Sequence, residues 1–154
     1  MKSELQVLNQ LKDVIAKQLN NYLHEDEENS GVLDKISDRN IVVDFPDPDN
    51  MPCSTMFWIE PEVSDITDLT SLADLEQMTL SVYIMCKRAK SEVLIQKVFG
   101  YFTALFALIR NNMTLDEFVD FAKITTMEFY PAVDASKTIA AIEATMQIQW
   151  EKPF

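Results

Sequence analysis

Apolar residues in the first part of the chain recur at spacings of three and four: Leu8, Leu11, Ile15, Leu19 and Tyr22, with Leu5, Val14 and Leu23 alongside. That period buries one stripe of a helix, so a helix is predicted over residues 4–23, capped by Ser3 with Glu4 in its first turn. It should stop at HEDEENSG (24–31), where clustered acids and Gly31 favour a solvated loop. Ile41-Val42-Val43 is β-branched and reads as a short strand. In the following FPDPDNMPC, Pro46, Pro48 and Pro52 exclude a central strand. Strand character resumes at Met56–Ile59 and ends at Glu60-Pro61, and the acid-rich stretch 60–77 reads as a long loop with one short helical turn.

The second half is more strongly patterned. From Thr79 to Lys87, Leu80, Val82, Ile84 and Cys86 fall on one face and Tyr83 and Met85 on the other, which predicts a strand covered on both sides. Ser91 is placed to cap a second helix. Its stripe of Leu94, Val98, Tyr101, Phe102, Leu105, Phe106 and Ile109 is broad enough to lie across a sheet, and Asn111-Asn112 should end it. Thr114 and Glu117 have capping-box spacing, so TLDEFVDFA is predicted to be a short third helix. Thr126–Tyr130 reads as a strand. Finally Ile142, Ala144, Met146, Ile148 and Trp150 alternate with Glu143, Thr145, Gln147, Gln149 and Glu151, which is a strand with one buried face and one wet face. The expected fold is therefore α+β: one domain over 1–154, with helices packed on one mixed or antiparallel sheet. Its expected order is helix, three strands, helix, short helix, two strands.

Charge changes the picture in one respect. Residues 1–78 hold 17 acids and 5 bases, and residues 79–154 hold 8 of each, so the N-terminal half carries the whole net charge of −12. Phosphate backbones and anionic membranes are attracted by Lys and Arg, so neither nucleic acid nor a membrane is the expected partner, whereas a protein with a basic face is. MKSELQVLNQ shows no apolar signal core, and the longest nearly apolar run, 12 residues between Lys97 and Arg110, is short for a bilayer. Cys53 and Cys86 are expected to be free thiols in a reducing compartment, with a disulfide between them left open.

Candidate chemistry is sparse. The chain has 2 glycines and 1 histidine, and it lacks the glycine-rich phosphate loop, the nucleophile elbow, the paired-histidine zinc motif and C-x-x-C. His24 sits in the acidic loop with nothing to orient it. Asp44, Asp47 and Asp49 fail the EF-hand template: counted from Asp47, its glycine and glutamate places hold Pro52 and Trp58. Cys86 reads as a small buried hydrophobe, and no acid interrupts a predicted buried face. Phe99, Tyr101, Phe102 and Phe106 lack interleaved arginines and read as core. No catalytic residue, metal or cofactor is expected. What remains is surface: Asp47 and Asp49 in the proline-rich turn, Trp58, Glu60, Glu62, Asp65 and Asp68 at or in the acidic stretch, and Gln147 and Gln149 on the wet face of the last strand. These are the candidate protein-interface residues, with Trp58 as the candidate anchor.

The order of elements resembles that of the tail terminator, or tail completion, proteins of tailed bacteriophages and prophages. The resemblance runs over about residues 4–152. It rests on the amphipathic N-terminal helix, the extended region and acidic loop that follow it, the strand TLSVYIMCKR feeding the long helix SEVLIQKVFGYFTALFALI, and the closing strand AIEATMQIQWEK. It implies a non-enzymatic structural protein that forms a homo-oligomeric ring, ends the tail tube and joins it to the head. Its implied partners are other copies of itself, the tube protein and the head–tail connector, met in the cytoplasm of a bacterial host or in the virion. Other neck proteins share such folds, and a cytosolic ligand-binding or regulatory α+β domain acting through an oligomeric interface is the alternative from a different class.

Overall fold

A computed structural model of the chain describes residues 2–23, 33–68, 73–130 and 139–153. The loop containing His24 lies outside them. The N-terminal helix α1 spans Glu4–Gln18 and opens with a complete capping box: Ser3 Oγ accepts from the Gln6 N–H at 3.2 Å, and Gln6 Oε1 accepts from the Ser3 N–H at 2.8 Å. Val7, Leu8, Leu11, Val14 and Ile15 form its buried stripe. The predicted last turn is tighter than expected, a 3₁₀ segment at Leu19–Tyr22 that keeps Leu19 and Leu23 in the core.

Five strands make one mixed sheet: β1 (Ile41–Val42), β2 (Thr55–Asp68), β3 (Ala73–Lys87), β4 (Phe121–Tyr130) and β5 (Ile139–Pro153), in the spatial order β1-β2-β3-β5-β4. Only β1 runs parallel to its neighbour; the other pairings are antiparallel. The fold is α+β. Helix α2 (Ser91–Asn111) connects β3 to the β4 side of the sheet and lies on one face with α1. Beneath the helices that face presents Phe57 and Ile59 of β2, Leu80, Val82, Ile84 and Cys86 of β3, and Ile142, Ala144, Met146, Ile148 and Trp150 of β5. By length and composition α2 would suffice to cross a membrane, but Leu94, Val98, Gly100, Tyr101, Ala104, Leu105, Leu108 and Ile109 are buried, as in a core helix.

Four sequence expectations are corrected. First, most of 60–77 is strand: β2 and β3 stay in register from Thr55↔Cys86 to Asp68↔Asp74. An edge strand exposed on both faces over 61–67 needs no apolar alternation, and the ladder absorbs Pro61, which has no N–H, with a register shift between Pro61 and Val63. Second, α2 is preceded by an extended Lys90 that makes no side-chain cap, so Ser91 is its first residue and not its cap. Third, β4 begins at Phe121, five residues before the predicted start, because a second register shift between Ile124 and Thr126 hides the alternation.

Fourth, the predicted third helix is a left-handed turn. Leu115, Asp116 and Glu117 have φ of 49°, 61° and 63°. The Thr114 hydroxyl does accept from the Glu117 N–H at 3.1 Å, as the capping-box spacing implied. Tertiary contacts then outweigh local propensity. Leu115 is fully buried, its carbonyl accepts from Gln10 Nε2 at 2.9 Å, and the Asp116 carboxylate accepts from Asn112 Nδ2 at 2.8 Å and from Gln18 Nε2 at 3.0 Å. The left-handed region costs a non-glycine residue on the order of 1 kcal/mol. Glu117 is exposed, so Glu117→Gly should relieve that cost less the entropy glycine adds to the unfolded chain, raising stability by about 0.5 kcal/mol and the melting temperature by roughly 1–2 °C. A thermal melt that moves the other way would show that the turn is not held by these contacts.

Candidate protein-docking surfaces

Among the described residues, the face of the sheet away from α1 and α2 is covered at one end only. There Met51, Met56, Trp58, Met85 and Ala141 form a small second core, with Val42, Cys53 and Tyr83 packed against it. It accounts for the predicted two-sided burial of β3. Trp58 is 5% exposed within this cluster, so it serves as packing and is not presented as a surface anchor.

Beyond that core the register lines up polar groups from four strands. Glu143 is the hub. Its Oε2 accepts from the Ser81 hydroxyl at 2.7 Å and the Tyr83 hydroxyl at 3.1 Å, and its Oε1 accepts from the Tyr130 hydroxyl at 2.9 Å. Ser81 Oγ also lies 2.5 Å from Glu62 Oε1, and Tyr130 OH lies 3.0 Å from Glu128 Oε2. Each hydroxyl has one proton, so Ser81 and Tyr130 each serve one carboxylate at a time. Burial pushes the Glu143 carboxyl up, but the three donated hydrogen bonds outweigh it and hold the group below the ordinary carboxylate range. Tyr83 is pushed up by burial and by its bond to Glu143, and Tyr130 by its bonds to Glu143 and Glu128. Ser81 is fully buried, which removes it as a nucleophile toward a substrate.

A carboxylate held low stabilises the fold above its unfolded pKa, and that contribution is lost as pH falls through the folded value. Stability should therefore drop as the medium is acidified from pH 4.5 downward, and Glu143→Gln should flatten that acid limb. Identical slopes for the two chains in urea melts across this range would rule out the hub role.

The residues singled out from sequence divide clearly. Register places Trp58, Glu60 and Asp65 of β2 and Gln147 and Gln149 of β5 on this same open face. Glu62 reaches it beside the register shift, through Ser81. Asp68 ends β2 at the far tip of the hairpin. Asp47 and Asp49 stand apart on the 3₁₀ turn Pro48–Asn50 and its flank, where Asp47 Oδ2 accepts from Asn50 Nδ2 at 2.9 Å. Ser81, Tyr83, Tyr130 and Glu143 were missed as a group because they meet only through strand pairing. One acid does interrupt a buried face, against expectation: Glu76, fully buried on β3 opposite Ile66 and Trp150.

Two sheet edges are open among the described residues. Along β2, from Ile59 to Asp68, no strand lies outside; this edge carries the exposed apolar side chains Val63 and Ile66 among Glu62 and Asp65. At the opposite side, β4 borders a groove of about 290 Å³ lined by Phe106, Ile109, Arg110, Met113, Ala122, Lys123 and Ile124. Arg110 stacks over the Phe106 ring at 5.7 Å, and Lys123 over Phe121 at 5.7 Å. The broad α2 stripe is thus only partly core: Phe102 is half-buried, and Phe99 and Phe106 reach the surface with Ile95, Met113 and Met127. Phe99 still meets Phe129 of β4, ring centroids 5.2 Å apart.

Reactive groups are few. Cys53 and Cys86 are both free; Cys86 is buried with its Sγ 3.7 Å from Thr55 Oγ1, and burial pushes its thiol up to about 11. No cluster of three metal-ligating side chains forms among the described residues. No protein-family model matches the chain, and no curated protein matches it in sequence.

Proposed function

We propose that this chain is a structural subunit of a phage or prophage tail or neck, which works by docking to copies of itself and to other tail proteins and not by catalysis. In this reading it forms a ring that ends the tail tube and joins it to the head. The observation that carries the proposal is the pair of unlike open edges on opposite sides of one sheet. β2 offers exposed Val63 and Ile66 with acidic neighbours, and β4 offers an apolar groove flanked by Arg110 and Lys123. Register puts Ile66 on the helix side of the sheet, as it does Ala122 and Ile124 in the groove, and puts Asp65 on the open side with Lys123. Laid edge to edge, one copy's β2 would bring Ile66 to the next copy's groove and Asp65 to its Lys123. Such a head-to-tail contact closes into a ring when its rotation closes. The acidic open face then remains for a basic tube end or connector.

The test is cryo-EM and native mass spectrometry of the chain alone and mixed with the tail tube protein encoded beside it. The expected result is a monomer alone and a ring on the tube end. Tubes that grow unchecked and uncapped in the presence of excess chain would overturn the assignment.

A further inference from the structure

At the end of the sheet where β2 begins and β3 ends, a cavity of about 540 Å³ opens between the segment 34–40, residues 52–55, Arg88 and Tyr101. Its wall is built in a definite way. The Tyr101 hydroxyl, on α2, donates to the Asp34 carbonyl at 2.7 Å and accepts from the Asp34 N–H at 3.0 Å, tying the incoming segment to the helix. Asn40 bridges from the other side: its Oδ1 accepts from the Ser37 N–H at 2.9 Å and its Nδ2 donates to the Thr55 carbonyl at 3.0 Å. Arg88 is held at φ 69°, in the left-handed region, at the turn out of β3.

The lining is cationic in an acidic protein. Lys35, Arg39 and Arg88 border the cavity, and Asp34 is the one carboxylate that does among the described residues. Asp34 faces Lys97, 3.9 Å away, whereas Lys35, Arg39 and Arg88 take part in no ion pair among the described residues. Asp38, beside Arg39 on the 3₁₀ turn Asp38–Asn40, does not line the cavity, and the acids of β2 lie farther off. At ~3.3 Å per residue, Glu60 lies roughly 17 Å and Asp65 roughly 33 Å along the strand from Thr55. Both distances exceed the screening length of about 8 Å at physiological salt. Hydroxyls of Ser37 and Ser54 add neutral donors.

We propose that this cavity binds a small phosphorylated molecule, its phosphate group held by Arg39, Arg88 and Lys35. Arginine forks match phosphate oxygens, and three cations exceed what a monocarboxylate would need. The volume falls in the range of small-ligand sites and has room for an organic group beyond the phosphate. The inference goes beyond the assembly reading and does not depend on it, because the site lies within one copy.

Cys53 provides the readout, since it lines the cavity and is partly exposed while Cys86 is buried with a raised thiol pKa. The rate of Cys53 alkylation by N-ethylmaleimide, a neutral reagent, is followed by mass spectrometry. The additions compared are glycerol 3-phosphate, inorganic phosphate, glycerol, and sodium chloride at matched ionic strength. At ten times the dissociation constant, glycerol 3-phosphate should slow the reaction about tenfold. Glycerol and chloride should not. Arg39→Ala combined with Arg88→Asn, which tolerates the left-handed backbone, should abolish protection while melting within a few degrees of the parent; Lys2→Ala, which lies over the Phe118 ring and does not line the cavity, should retain it. Equal protection by inorganic phosphate would support the phosphate site and assign free phosphate as the ligand. Absence of protection by either phosphate, equal protection by chloride, or full protection in the double variant would overturn the proposal.

Discussion

Phe57→Ala is expected to remove about 4 kcal/mol of folding stability, read as a fall in the urea midpoint at unchanged slope. Phe57 is fully buried on β2, paired with Ile84 of β3 on one side and with Ile41 of β1 on the other. Its ring meets Tyr101 of α2 edge-on, with centroids 5.8 Å apart and planes at 85°. The loss has two parts: the transfer and cavity cost of a deleted aromatic ring, roughly 3–5 kcal/mol, and the edge-to-face pair, about 1 kcal/mol and partly counted within it. Domains of this size are stable by only about 5–15 kcal/mol, so one substitution at this junction takes a large share. Phe57→Leu keeps most of the volume and should cost less than half as much. A loss under about 1 kcal/mol for the alanine variant would mean that the β1–β2–α2 junction is not packed as described.

The second large effect concerns assembly. Ile66→Lys should leave the monomer folded, because the side chain is 59% exposed on the outer half of β2, where residues 61–67 are all exposed, yet it should abolish the proposed ring on the tube end. A buried contact of this type is worth on the order of 2 kcal/mol, which is about thirtyfold in each interface. A ring multiplies that loss over its contacts. Lys123→Glu should act in the same direction by placing like charges opposite Asp65, and combining it with Asp65→Lys should restore much of the assembly. Restoration by the swap separates a specific contact from general damage to β4. Unaltered ring yield in both single variants, measured by native mass spectrometry with tube protein present, would exclude the edge-to-edge contact.

Particular elements show how far a linear reading carries. The Ser3 cap, the stripe of α1 and the alternation of β5 are local patterns, and α1 starts and β5 runs where these patterns place them. The acid-rich β2 was illegible for the opposite reason. Its outer half is exposed on both faces, so burial imposes no alternation on Glu62, Val63, Ser64, Asp65 and Ile66. TLDEF carries a sound helix signal that lost to Leu115 in the core and to the Asn112–Asp116–Gln18 hydrogen bonds. The same logic divides the surfaces. Gln147, Gln149, Glu60 and Asp65 were picked singly from their polarity. That they share one face follows from register, as does the convergence of Ser81, Tyr83, Tyr130 and Glu143.

By itself the order of residues determined the class of fold, the position of the two helices and the charge asymmetry. Those properties depend on composition and on periodicities within one turn or one strand. Only the tertiary structure decided which sheet edges are open, which half of the α2 stripe is core, and that cations from residues 35, 39 and 88 border one cavity. Those are relations between segments distant in the chain, and they are set by strand register and packing, on which no local pattern reports.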